Sequence, residues 1–165
     1  MRSSLSGIGY KVEARNNARA MARDATTAFG EWLSLPEWEW YCTHTFAGDF
    51  KSPKLADKHF YAWFNSLRMA CYRKRLERPY YFRVTEMQER DVMHFHSLIG
   101  GVGDIRRLLF KDLWELHGFA RVEKYERGRG ANFYVGKYLN KSDGDIRLSH
   151  NLSKHLTKAD ECGSL

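Results

Sequence analysis

Three small groups of residues have types and spacings suited to chemistry. The first lies in "FYVGKYLNK", where Tyr134 and Tyr138 stand four positions apart and each is followed three positions later by a lysine, Lys137 and Lys141. On a helix, positions i and i+4 share a face and i+3 lies beside them, so two phenols would project together between two ammonium groups. Tyrosines and lysines are also ordinary occupants of half-buried helices, so this cluster alone decides nothing. The second group is "HFH". Strand side chains alternate, and His94 and His96 therefore face one way while Phe95 faces the other. Two same-face imidazoles suit a first-row divalent metal. The third is Glu86, a candidate ligand eight positions before His94. An odd-length connection centred near Arg90 would set Glu86 opposite His94 and on the same face. A two-residue loop would turn it to the other face.

Two imidazoles and one carboxylate with open coordination positions make a Lewis-acid site for Mg²⁺ or Mn²⁺ that polarises a phosphate oxygen. A phenol is a poor nucleophile near neutral pH, since its unperturbed pKa is about 10. Neighbouring lysines favour the phenolate and stabilise negative charge on a phosphoryl group. Metal, tyrosine and lysine together describe phosphodiester cleavage through a phosphotyrosine intermediate.

Positioning these groups requires strands and helices in a particular order. Ala18, Ala20, Ala22 and Ala25 favour a helix from about Val12 to Leu33, read as an appendage within a helical extension over residues 1–38. Pro36 ends it, and "EWYCTHTF" alternates as a strand from about Glu39 to Phe46. Ser52-Pro53 opens a helix whose Phe60, Trp63, Phe64, Leu67 and Cys71 form one apolar face. "PYYFRVTEM" and "VMHFHSLIGG" are strands joined by a short polar connection. Asp104 reads as the N-cap of a helix carrying Ile105, Leu108, Leu109, Leu113 and Leu116 on one side, with Gly118 ending it before the strand "FARVEKYE". Arg127-Gly128-Arg129-Gly130 separates that strand from the tyrosine helix, and the polar stretch after Arg147 predicts no firm element. From residue 39 the order is β-α-β-β-α-β-α. That predicts an α+β fold: an antiparallel sheet packed by helices in a split-βαβ, ferredoxin-like arrangement. The core would span 39–144 within a single domain, with a polar tail over 145–165.

At 165 residues, 43% of them hydrophobic, the chain supports one core. Lysine and arginine outnumber aspartate and glutamate 27 to 20, giving a formal charge of +7 and a pI near 9.4, which points to a polyanionic partner. Aromatics at 15%, mixed with cations, suit single-stranded nucleic acid. Arg68, Arg73, Lys74, Arg75, Arg78 and Arg83, interleaved with Tyr72, Tyr80 and Tyr81, are the candidate nucleic-acid contacts. Cys42, Cys71 and Cys162 form neither a zinc pattern nor a disulfide framework, so a reducing cytoplasm is expected. Neither a membrane span nor a signal-peptide core is visible.

"WYCTHTF", "HFHSLIGG" and "YVGKYLNK" resemble, in that order, the three motifs of rolling-circle replication initiators of the HUH endonuclease superfamily. The double tyrosine resembles the gene A-type initiators of small isometric single-stranded DNA phages, and "KYLNKSDG" also resembles single-tyrosine initiators of small circular DNA viruses. The resemblance spans roughly residues 39–144. It implies metal-dependent nicking of one strand of single-stranded or hairpin origin DNA, a 5′-phosphotyrosyl link and a free 3′-hydroxyl that primes replication. It implies Tyr134 and Tyr138 as nucleophiles, Lys137 and Lys141 as helpers, and Glu86, His94 and His96 as metal ligands. The motif order argues against mobilisation relaxases. A single-strand transposase with the same chemistry and a noncatalytic nucleic-acid-binding module are the competing readings. His44 departs from a motif position that is more often aliphatic, and packing is its expected role. The chain lacks a Gly-x-x-x-x-Gly-Lys-Ser/Thr loop, so a separate helicase is the expected partner.

Overall fold

A computed structural model describes residues 6–48, 52–87, 92–139 and 145–156. Helix α1 (Ser6–Leu33) leads into strand β1 (Trp38–Phe46), helix α2 (Pro53–Arg73) and the hairpin of β2 (Tyr80–Met87) and β3 (Met93–Gly100). A short helix α3 (Arg107–Asp112) precedes β4 (Gly118–Lys124), and a 3-10 turn at Arg127–Arg129 introduces α4 (Gly130–Leu139). Strand β5 (Ile146–Leu148) and helix α5 (Ser153–Leu156) follow. The sheet order is β4-β1-β3-β2-β5, with every pair antiparallel. β3 is inserted between β1 and β2, which is the split-βαβ arrangement of an α+β, ferredoxin-like fold.

Local chemistry explains the starts and stops. The Ser52 hydroxyl accepts the Leu55 N–H and Pro53 occupies the first turn, where its missing N–H is harmless. α2 ends in a Schellman pattern: the Leu76 N–H reaches the Cys71 carbonyl and the Arg75 N–H the Tyr72 carbonyl, each at 3.0 Å. Arg75 fills the left-handed position with φ 57°, where glycine is usual. Gly118 has φ 149°, and a Cβ there would lie 2.1 Å from the Thr45 carbonyl oxygen, so the close β1–β4 approach demands glycine.

The sheet has a core on each face. On one, α2 and α3 bury Phe60, Trp63, Leu67 and Phe110 against Cys42, Phe46, Phe95 and Ile99. On the other, α1 and α4 bury Leu33, Ala131, Tyr134 and Val135 against Phe82, Val84 and Leu98. An irregularity between Trp38 and Trp40 in β1 lets Trp38 face the second core while Trp40 packs against the first. The N-terminal helix is therefore a layer of the fold, since Phe29, Trp32 and Leu33 join this second core.

Three sequence expectations need correction. Asp104 does not cap a helix; it pairs with Lys74 at 2.9 Å, and α3 begins only at Arg107. The leucine stripe does not form the buried face, because Leu108 and Leu116 are exposed. Phe110 and Trp114 are buried instead, with the Trp114 indole donating to the Thr45 carbonyl at 3.2 Å. Two large aromatics remove more apolar surface than the leucines would, and six residues of helix are too few to present the stripe. The stretch from residue 146 is also structured: β5 extends the sheet along β2 and Leu152 is buried. Among the described residues no helix is long and apolar enough to cross a membrane.

Candidate active site

The β2–β3 hairpin sets the phase that sequence alone left open. Met87 pairs with Met93 and Glu86 with His94, so the connection is odd in length, spanning 88–92, and Glu86 shares a face with both histidines. That face is the one beneath α1 and α4. Glu86 Oε2 lies 2.9 Å from His96 Nε2. The other side of each ring is held from the neighbouring strand β1. His96 Nδ1 meets the Tyr41 hydroxyl at 2.9 Å and the Thr43 hydroxyl at 3.3 Å, and His94 Nδ1 meets the Thr45 hydroxyl at 3.0 Å. Alternate residues of β1 thus tether both imidazoles by Nδ1.

Both rings are buried. Burial lowers the His94 pKa below its usual value and outweighs the opposing pull of Glu86, which keeps the ring neutral near pH 7 and able to act as a ligand. With Glu86 turned onto His96, no three histidine, cysteine, aspartate or glutamate side chains among the described residues stand ready as a metal cage. The donor types fit a divalent cation, and hydroxyl partners accept either imidazole tautomer because each both donates and accepts.

Tyr134 is buried in the second core, its ring 5.0 Å from Tyr41 and 4.9 Å from Tyr125. Its hydroxyl accepts the Glu126 N–H at 2.8 Å. Tyr41 therefore touches both Tyr134 and His96, which links α4 to the histidine strand. Lys137 and Tyr138 lie on α4 one turn onward, with side chains outside the described set, and Lys141 lies outside the described residues. A cavity of about 500 Å³ opens between Tyr41, Tyr134, Phe133, Lys124 and Arg129. A larger one, about 770 Å³, lies at the opposite end of the sheet against Glu37, Glu39 and Tyr80, away from the histidines.

The candidate nucleic-acid cations do not form one surface. Arg83 is a correction: it is completely buried, its guanidinium paired with Asp57 and lying 4.1 Å from the Phe95 ring centroid and 4.8 Å from that of Phe60. Alternation along β2 puts Arg83 on the α2 face, opposite to Glu86, so it packs under that helix and is shielded from any ligand. Arg68, Arg73, Lys74, Arg75 and Arg78 cluster around the C-terminal end of α2. This end adjoins Tyr80 and is remote, in both layer and strand end, from Glu86, His94 and His96. Lys74 is further engaged with Asp104, and Arg75 serves the helix terminus described above.

His44 packs, as expected. It sits 4.3 Å from the Trp63 ring and 4.6 Å from that of Trp114. Burial first, then the Arg83 and His96 charges, lower its pKa to about 3, and neither ring nitrogen has a hydrogen-bond partner. Sequence reasoning missed Tyr41, Thr43 and Thr45. Their odd-numbered phase on β1 was legible, but only the placement of β1 beside β3 brings them to the histidines.

The family model for the replication-associated protein ORF2 matches residues 39–143. No curated protein and no solved structure matches the chain significantly. The matched region contains β1 through α4, and hence every residue of the site just described.

Proposed function

The chain belongs to the replication-associated protein ORF2 family, which supports a role as a replication initiator. From that premise we propose that it nicks and joins single-stranded origin DNA by tyrosine attack, with the HUH superfamily's chemistry. The observation that carries the reading is the Glu86–His94 register with His96 against Glu86, two imidazoles and a carboxylate on one sheet face. Glu86, His94 and His96 would hold Mg²⁺ or Mn²⁺, which when bound supplies Lewis-acid polarisation of the scissile phosphate. The Thr45 hydroxyl on His94, and the Tyr41 and Thr43 hydroxyls on His96, fix the rings so that each Nε2 edge is the ligand edge.

Tyr138 is the first nucleophile and Tyr134 the second. The phenol oxygen bonds to phosphorus, the bond from phosphorus to the 3′ oxygen breaks, and that oxygen takes a proton to become the 3′-hydroxyl primer. Lys137 and Lys141 favour phenolate and offset charge on the phosphoryl oxygens. The order is supported at Tyr134, whose hydroxyl must first leave the Glu126 amide. A freed 5′-phosphotyrosyl end would be rejoined by the reverse step, and a separate helicase would unwind the duplex.

The test is a cleavage assay on single-stranded origin DNA with denaturing-gel detection of the covalent adduct. Tyr138→Phe should cut the adduct yield more than Tyr134→Phe, and the double variant should form none. His96→Ala should fold, bind DNA and cleave far more slowly. Undiminished cleavage by His96→Ala in chelator would refute the metal assignment.

A further inference from the structure

The face that carries the histidines continues past them onto edge strand β4. The register sets Phe119 beside Thr45 and Arg121 beside Thr43, in the same cross-strand rows as His94 and His96. Two strand spacings, about 10 Å, separate Phe119 from His94. Yet Phe119 is 61% exposed, and the Arg121 side chain is 68% exposed. The Lys111 ammonium lies 5.6 Å from the Phe119 ring centroid. The combination recurs on α4, where Phe133 is 59% exposed and the Arg129 guanidinium sits 4.8 Å from its ring centroid. Phe133 also lines the cavity that reaches Tyr41 and Tyr134. One exposed phenylalanine is ordinary on any surface. Two of them, each with its own cation, flanking one imidazole and phenol cluster, make an aromatic and basic series continuous with the site.

We infer that Phe119 and Phe133 are stacking platforms for bases of the single strand that flanks the bond to be cut, with Arg121 neutralising a phosphate next to Phe119. The inference rests on the nicking reading of the site. An open aromatic face takes only an unstacked base, so the occupant is single-stranded, and stacking of this kind tolerates any base sequence. The Arg121 pair with Glu123, 2.9 Å long and exposed, is readily exchanged for a phosphate. The cations around the end of α2 cannot serve the same stretch of strand, because they lie on the other layer and at the far end of the sheet.

The experiment measures fluorescence anisotropy of a labelled mixed-sequence single strand of about 20 nucleotides, longer than a typical single-strand site. Wild-type nicking of the same strand is assayed in parallel. Phe119→Ala and Phe119→Leu should each weaken binding by about 5- to 50-fold, while Phe119→Trp should retain it. Arg121→Ala should lower the slope of log affinity against log salt by about 0.7, the value for one phosphate contact on a single strand. If wild-type protein cuts but Phe119→Ala binds as tightly as wild type, the platform is refuted and the nicking reading stands. If wild-type protein fails to cut while the Phe119 series behaves as stated, the nicking reading falls and the platform stands. A dimer that Phe119→Ala dissociates, with unchanged affinity for DNA, would reassign the ring to self-association and overturn the inference.

Discussion

Replacing His44 by leucine should leave stability near its present value at pH 7 and remove part of the protein's acid sensitivity. The ring is fully buried among Trp63, Trp114 and Phe60, and burial holds its pKa at about 3, against an ordinary value of 6.5. The sign follows from proton binding. Between pH 6.5 and 3 the unfolded chain binds a proton at His44 that the folded chain refuses, so stability falls as pH falls through that window. Above pH 6.5 both states are neutral and the linked penalty vanishes. Each pH unit within the window costs about 1.4 kcal/mol, so at pH 5 the penalty is about 2 kcal/mol. For a chain of this size that corresponds to about 4–8 °C in Tm. At neutral pH the leucine loses ring contacts but relieves two buried nitrogens that lack partners, leaving a net change within about 1 kcal/mol. The assay is thermal unfolding of both proteins from about pH 7 to pH 5, the upper part of the linkage window. The depressed pKa values of His94 and His117 affect both proteins alike and cancel in the difference. Parallel Tm curves across that range would refute a neutral buried His44.

Tyr41→Phe keeps the ring that packs against Tyr134 but removes the hydroxyl on His96 Nδ1, and should raise the Mn²⁺ concentration for half-maximal nicking by about tenfold. An unchanged metal dependence would remove Tyr41 from the positioning of His96. Asp57→Asn leaves the guanidinium of Arg83 in the core without its closest carboxylate, and should destabilise the fold by about 3 kcal/mol, seen as a Tm lower by about 6–12 °C. A loss under about 1 kcal/mol would mean that Asp145, 3.7 Å from the same nitrogen, compensates the charge alone.

Much of this protein follows from short-range pattern. Alternation along "HFH" put both imidazoles on one face, and Ser52-Pro53 with the Phe60 to Cys71 stripe marked α2, because those signals depend only on backbone period and on capping. The order of elements from residue 39 and the antiparallel sheet follow from the same signals together with the strand-and-helix count. The phase of Glu86 did not, since it depends on how many residues the hairpin connection holds, and the pairing of Met87 with Met93 decides it. Helix α3 defeated pattern because the leucines repeat at helical spacing, while the depth of the layer beneath accepts Phe110 and Trp114. Arg83 reads as one more cation in a basic run, and only the packing of α2 over β2 turns it into a buried charge held by Asp57. Tyr41, Thr43 and Thr45 meet the histidines from a strand far away in the chain, through strand order alone. Sequence determines which face of its own element a side chain occupies, by a period of about 2 or 3.6 residues. Which side chain stands across from it is decided by how strands and helices close on one another, and that contact carries both the ligand geometry and the energy.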